Sequence, residues 1–200
     1  MAKKSSPLLT VGLAAGAVAG LVGTAYYWLL RRPLPQNAGE IRLDGLQAPV
    51  EVIRDRWGVP HIYAQNLPDL AFAQGYVHAQ DRLWQMDFNR RLVAGRISEL
   101  FGPISVSLDR WMRTLRMRHT GEQEVALLSG SERELLEAYA QGVNSRMAGG
   151  KLPIEFTLLG YQPEPWTVAD SLAWTKMMAW TLSVNWEAEI LRALLVQRLG

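Results

Sequence analysis

The sequence predicts an α+β fold in which a small N-terminal β-hairpin leads into a mostly helical chain, preceded by an apolar segment long enough to span a membrane. Three observations predict it. Leu8 to Leu30 is an uncharged run of apolar and small residues, residues 50–64 alternate apolar with polar about a tight turn, and residues 66–199 carry helical spacing and helix caps. At 200 residues, 48% hydrophobic and 20% charged, the chain has the composition of a folded domain rather than a disordered one.

The apolar segment comes first. No charge stands between Lys4 and Arg31. At about 1.5 Å rise per residue, Leu8–Leu30 matches the roughly 30 Å hydrocarbon core of a bilayer. Tyr26, Tyr27 and Trp28 suit an interface, and Arg31, Arg32, Pro33 and Pro35 end the run. Residues 1–32 therefore read as a transmembrane signal-anchor spanning 8–30, with the remainder on the periplasmic or extracellular side of the cell membrane. The alternative is a signal peptide cut after Ala25, at the small-x-small site made with Gly23, which releases the protein to the periplasm. The anchor is expected because the apolar run continues past that site. Gly12, Gly16 and Gly20 share one helix face, a spacing used in membrane-helix packing but also common in any such segment. Residues 33–40, Pro-rich and polar, read as a linker to a domain over 41–200.

The same segment accounts for the charge. The formal net charge is +2, yet four basic residues precede the first acid, Glu40; beyond residue 32, 17 basic residues face 19 acidic ones. A slightly acidic domain has no electrostatic footprint for nucleic acid. The absence of Cys excludes a disulfide scaffold, a thiol nucleophile and Cys-based metal sites.

Within the domain, Ile41, Leu43, Val50 and Val52 alternate with polar neighbours as half-buried strands do. Asp55-Arg56-Trp57-Gly58 is a turn sequence, and Val59, Ile62 and Tyr63 continue past it with Pro60 suited to a strand start, so 50–64 form a hairpin. Asn66 caps a helix with Asp69 at its third position and Leu70, Phe72, Ala73 and Val77 as its apolar set. A second helical stretch runs from Arg82 to Arg96, with Leu83, Met86 and Arg90 on one face, and Gly102-Pro103 stops it. Ser131-Glu132-Arg133-Glu134 is a capping box ahead of the stripe Leu135, Leu136, Tyr139, Val143 and Met147, which ends at Gly149-Gly150. Thr167-Val168-Ala169-Asp170 opens another helix through Leu172, Met177 and Trp180.

No short catalytic motif is complete. His61, His78 and His119 lack metal-ligand spacing; His78 and Asp81 stand at i, i+3 as a structural polar pair, and His61 reads as a strand histidine. G-x-S-x-G, P-loop and G-x-G-x-x-G patterns are absent. In Gly130-Ser131 the serine reads as a helix cap, not a nucleophile. Arg82, Arg90, Arg91 and Arg96 with Asp81, Asp87 and Glu99 make either a solvated face of i,i+4 pairs or, given the interleaved Trp84, Met86 and Phe88, a buried ion-pair network. Trp166, Trp174, Trp180 and Trp186, with Met177, Met178 and Leu182, fit either helical core packing or an adaptable apolar pocket.

Residues 51–102 carry a longer signature: Arg54-Asp55, Gly58-Val59-Pro60-His61-Ile62, Gly75-Tyr76, Ala79-Gln80-Asp81-Arg82, Gln85-Met86, Arg91, Gly95 and Glu99-Leu100-Phe101-Gly102. These blocks resemble the penicillin acylase (penicillin amidase) family, and looser similarity runs through Tyr161-Gln162-Pro163 and Pro165-Trp166 to about Leu195. The resemblance implies an N-terminal-nucleophile (Ntn) amide hydrolase of αββα fold, made as an exported zymogen that cuts itself into a small α and a larger β subunit. The implied nucleophile is the serine that begins the β subunit, with its own α-amino group as base. This chain resembles the α subunit, so no catalytic residue is expected within it, and its implied partner is the β subunit of the same precursor.

The implied contribution here is to binding. Met178, Trp180 and Leu182 correspond to walls of the acyl pocket, with Leu182 standing where phenylacetyl-specific members have phenylalanine. A calcium site shared with the β subunit is also implied, drawing on Glu189 or alternatively Glu187; one carboxylate falls short of the roughly six to eight oxygens calcium takes. No organic cofactor is implied. Penicillin-type side-chain amides, acyl-homoserine lactones and acyl amino acids all fit as small acylated substrates. The rival reading, from another class, is a non-enzymatic membrane-anchored binding domain on the same scaffold.

Overall fold

The computed structural model describes residues 7–31, 33–183 and 185–199, with side chains from residue 16 onward apart from residue 30. Helix α1 spans Pro7–Tyr26 and passes into a π-helical turn at Tyr27–Arg31. The transmembrane span expected over 8–30 is not supported: among the described residues no helix is long and apolar enough to cross a membrane. Lys3, Lys4 and Arg32, the expected flanking charges, lie outside the described residues.

Strands β1 (Glu51–Arg54) and β2 (Pro60–Tyr63) form the predicted antiparallel hairpin, with Val52 opposite Ile62 and Ile53 opposite His61. Asp55 holds the turn: its Oδ1 accepts from the backbone N–H of Trp57 (2.8 Å) and Val59 (3.0 Å), and Gly58, at φ 77°, donates to the Asp55 carbonyl at 2.9 Å. Ile41 and Leu43, expected in a strand, are not in one. The backbone just after them is drawn elsewhere, because the buried Asp69 carboxylate accepts from the N–H groups of Gln47 (2.8 Å) and Ala48 (3.0 Å). Groups that a strand ladder would pair are satisfied by a side chain instead.

Helix α2 (Leu67–Ala94) joins the two stretches that the sequence separates. Asn66 caps it as predicted, Oδ1 accepting from Asp69 N at 2.8 Å. The expected boundary survives as a kink at Arg82 (φ −140°, ψ 20°). Beside the kink, the Arg54 guanidinium donates to both Asp81 oxygens (2.9 and 2.8 Å) and to Gln80 (2.9 Å), fastening the hairpin to the helix. His78 therefore does not pair with Asp81; its Nδ1 meets the Tyr139 hydroxyl at 3.0 Å. The helix stops at Gly95, not at Gly102-Pro103. Gly95 takes φ 64° and donates to Leu92 O (3.0 Å), while Arg96 N–H reaches back to Arg91 O (2.8 Å), a closure that favours glycine.

Short helix α3 (Ser98–Phe101) and a 3-10 turn at Gly102–Ser105 lead to α4 (Val106–Leu115) and α5 (Met117–Glu124), separated by Arg116 at φ 57°. Helices α6 (Gly130–Ala148), α7 (Ile154–Leu159), α8 (Val168–Leu182) and α9 (Trp186–Leu199) follow. The capping box of α6 lies two residues earlier than expected. Ser129 is the cap and Glu132 its partner, with Ser129 N–H donating to Glu132 Oε2 at 2.9 Å, so Ser131 sits in the first turn.

Helices α2 and α6 cross where both have glycine. A Cβ built on Gly142 would fall 1.9 Å from Phe72 O, and one on Gly75 would fall 2.1 Å from Tyr139 O, so the two backbones touch directly. Around this crossing Ala79, Leu83, Ala140, Val143, Phe156 and Trp166 form one core cluster. Val93, Met112, Met117 and Ala173 form a second, where α8 docks.

Candidate functional site

The site is built on α8, whose two ends have opposite characters. At its start the predicted capping box is present: Asp170 Oδ2 accepts from the N–H and the hydroxyl of Thr167, both at 2.7 Å. Asp170 Oδ1 takes a charge-assisted hydrogen bond from Arg118 of α5. Gly121 of α5 lies against the same turn, where an added Cβ would come within 2.9 Å of Ala173 N. The first half of α8 is thus held rigidly against α5, with Ala169 and Ala173 buried between them.

A buried ion network fixes the chain that enters α8. Asp87, only 1% exposed, accepts from Arg90 Nε (2.7 Å), Arg91 Nε (3.0 Å) and the Tyr161 hydroxyl (2.6 Å). Arg90 then donates to the carbonyls of Glu164 (2.6 Å) and Pro165 (3.1 Å), and Arg91 to Glu99 (2.7 Å). Of the two arrangements open for this helix, the buried network is the one observed at Asp87, Arg90 and Arg91. Burial raises the Tyr161 hydroxyl, and its hydrogen bond to Asp87 raises it further, so it stays a donor. Trp166 completes the anchor. Its backbone N–H and carbonyl pair with the Asn144 amide (2.7 and 2.9 Å), and its indole donates to Ser171 (3.0 Å).

The second half of α8 carries the residues expected at the acyl pocket, and it separates them. Residues at i, i+4 lie about 40° apart around a helix, and those at i, i+2 about 200°. Met178 and Leu182 accordingly share one face, where they are 41% and 77% exposed. Trp180 points the other way, packing with Trp174 and Met177 against the second core cluster. It joins Trp111 of α4 (ring centroids 6.3 Å apart) and Trp186 (5.7 Å), with Trp111 and Trp186 themselves 6.4 Å apart. Trp180 therefore braces the helix from behind, and the four expected tryptophans divide between core and brace. Trp111 shares helical spacing with Leu108 and Leu115 in an arginine-rich stretch, and nothing local in the sequence marks it as the partner of the distant Trp180.

The expected metal ligands are exposed on α9. Both Glu189 oxygens receive Arg192 Nη1, at 2.8 and 2.9 Å. Among the described residues no group of three or more His, Asp or Glu side chains could hold a metal ion. These residues on their own do not fit calcium; a site using Glu189 needs oxygens from beyond them. Of the histidines, His78 is lowered by burial, against a smaller upward pull from Asp81. His61 Nε2 lies 3.5 Å from Asp55 at the hairpin turn. Burial also pushes the Tyr139 hydroxyl up to about 12. None of these groups adjoins the Met178–Leu182 face.

Residues 49–200 match the penicillin amidase family. The chain is 40% identical over 158 residues to penicillin acylase 2 proenzyme of Pseudomonas sp. (strain SE83), a match covering 78% of this chain and 20% of that protein. It is 36% identical over 199 residues to the acyl-homoserine lactone acylase QuiP of Pseudomonas aeruginosa, covering 97% of this chain and 23% of that one. Its fold is similar to thermostable penicillin G acylase from Alcaligenes faecalis, with a TM-score of 0.62 at 33% identity over 76% of this chain and 85% of that chain. The chain spans about a fifth of the length of the curated relatives it matches. The family match, the relatives and the likeness of fold agree, and the chain belongs to the penicillin amidase family.

Proposed function

We propose that this chain forms the acyl-binding side of an amide hydrolase of the N-terminal-nucleophile class. The observation that carries the reading is the exposed apolar pair Met178 and Leu182, presented by a helix whose start is fixed by ions and whose back is braced by tryptophans. An acyl chain is recognised by apolar surface held in place before binding, and such a surface supplies it. The helix needs a facing wall and a nucleophile, which the proposal places on a β subunit made in the same precursor.

The chemistry on that wall would be acyl transfer. The serine Oγ bonds to the amide carbon, the C–N bond breaks, and the amine leaves with the serine's proton. Water then releases the acid and restores the serine. Ser131 is not that serine in the reading proposed here, because it occupies the first turn of α6. Relatives named as penicillin acylase and acyl-homoserine lactone acylase support an amide-hydrolysing acylase. Export belongs to the same proposal, through a segment cut after Ala25.

Two measurements test it. The full-length gene product should release amine from penicillin G or from a long-chain acyl-homoserine lactone, and a folded, processed protein that releases none from either would overturn the assignment. N-terminal sequencing of the native protein should begin at Tyr26, and retention of residues 1–25 would remove the cleaved-export reading.

A further inference from the structure

One cleft away from the Met178–Leu182 face carries chemistry that amide hydrolysis does not use. Arg90, Arg91, Arg96, Arg113 and Arg118 line a cavity of about 270 Å3 between α2, α4, α5 and the start of α8. Three carboxylates share it, so five cations face three anions. Two of those anions are saturated. Glu164 receives Arg96 on both oxygens (2.9 and 2.7 Å), and Asp170 is taken up by Arg118 and Thr167. Glu122 gives one oxygen to Arg118 Nε at 2.7 Å, and among the described residues its other oxygen has no partner.

The arginines also differ. Every nitrogen of Arg90 and Arg96 is engaged within the network already described. Arg113 donates only Nε, to the Gly95 carbonyl at 2.8 Å, and among the described residues its two terminal nitrogens have no partner. Arg118 donates Nε to Glu122 and Nη1 to Asp170, which leaves Nη2. Arg91 uses Nε and Nη1 and leaves Nη2, so among the described residues four N–H-bearing nitrogens on three guanidinium groups of the lining have no protein acceptor, three of them on Arg113 and Arg118. Both stems are fixed, Arg113 by the carbonyl at the end of α2 and Arg118 by its two carboxylates. The approach is positively charged as well. Between residues 106 and 121, Arg110, Arg113, Arg116 and Arg118 face one acid, Asp109, and that acid is consumed by Ser98 and the Ile97 N–H.

We propose that this cleft is a binding site for a small oxyanion, held by Arg113 Nη1 and Nη2 and Arg118 Nη2. Guanidinium edges match the paired oxygens of a phosphate or carboxylate and give charge-assisted hydrogen bonds stronger than neutral ones. The site stands independently of the hydrolase reading.

The test is thermal unfolding of the full-length protein in sodium phosphate and, separately, sodium acetate, against sodium chloride at equal ionic strength. The melting temperature should rise saturably in at least one oxyanion arm, and which arm responds distinguishes a tetrahedral from a planar ligand. Arg113→Gln should raise the half-saturating concentration by roughly tenfold or more, because it removes a cation and with it two charge-assisted hydrogen bonds. Glu122→Gln should lower it, because it removes the competing acid. Should Arg113→Gln fail to fold for want of its bond to Gly95, Glu122→Gln carries the test alone. The proposal is overturned by a melting temperature that follows chloride in both arms, or by variants whose response equals the wild type's. Amide hydrolysis, read separately, should be indifferent to the anion.

Discussion

Replacing Gly142 with alanine tests the packing on which the rest of the domain depends. In an exposed helix the change would stabilise by about 1 kcal/mol, since alanine is the better helix former. Here the added methyl would lie 1.9 Å from Phe72 O, 2.8 Å from Phe72 C and 2.9 Å from Tyr76 N, all backbone atoms. Bringing the closest contact out to 3.0 Å opens the α2–α6 crossing by 1.1 Å. A gap of about that size forfeits roughly half of each dispersion contact across the interface, and Phe72, Ala73, Val77, Ala140 and Val143 all pack near it. Overpacking typically costs about 1–3 kcal/mol, and an obstacle that cannot rotate away belongs at the top of that range. We expect about 3 kcal/mol of local destabilisation, or on the order of a hundredfold faster hydrogen exchange for the amides of α2 and α6 in the full-length protein. Gly130→Ala is the control. It lies in the same helix with nothing within 4 Å of its Cβ position, and its exchange should be unchanged or slower. If Gly142→Ala exchanges like Gly130→Ala, the two helices are not in backbone contact and the argument fails.

Three further outcomes follow from the site. Asp87→Asn leaves Arg90 and Arg91 buried with half their compensation, and loss of a buried ionic partner costs about 3–5 kcal/mol; a urea midpoint equal to the wild type's would show that the network contributes no stability. The Glu164 carboxyl is held down to about 2, from 4.5, first by hydrogen bonds from Arg96. A lowered acid contributes stability above pH 4.5 that is lost as the pH falls toward 2. The wild type should therefore weaken more steeply across that window than Glu164→Gln, and parallel curves would refute the pairing. Leu182→Phe should shift the ratio of kcat/KM values toward arylacetyl amides by roughly tenfold, within the usual reach of one pocket side chain; an unmoved ratio takes Leu182 out of the acyl pocket.

What could be read in the sequence depended on how local its cause was. The Asp55–Gly58 turn, the Asn66 cap and the Thr167–Asp170 box were legible because each is satisfied within four residues. The α6 cap was displaced because two S-x-x-E patterns overlap there, and local spacing does not choose between Ser129 and Ser131. Ile41 and Leu43 failed as a strand for a long-range reason: Asp69, more than twenty positions away, captures the neighbouring backbone. The arginines of α2 posed the same problem at greater cost, since their alternation with acids reads identically whether the helix faces water or Tyr161 and Pro165.

The candidate site divides along the same line. Periodicity alone puts Met178 and Leu182 together and Trp180 behind them, but only the fold supplies Trp111, from a helix some seventy positions earlier, to hold Trp180 in place. That bracing bears on function. A binding face on a helix end loses affinity to every rotamer and backbone state it must give up, and a rigid aromatic cluster removes those states in advance. In the proposed reading apolar residues therefore do two jobs on one short helix, and side chains two positions apart are assigned to opposite ones. α9 extends the contrast: Ile190, Leu191, Leu194 and Leu195 lie exposed along one face of it, and such an apolar stripe is built to be buried. Among the described residues none covers that stripe, so in the proposed reading α9, like the Met178–Leu182 face, would meet the β subunit.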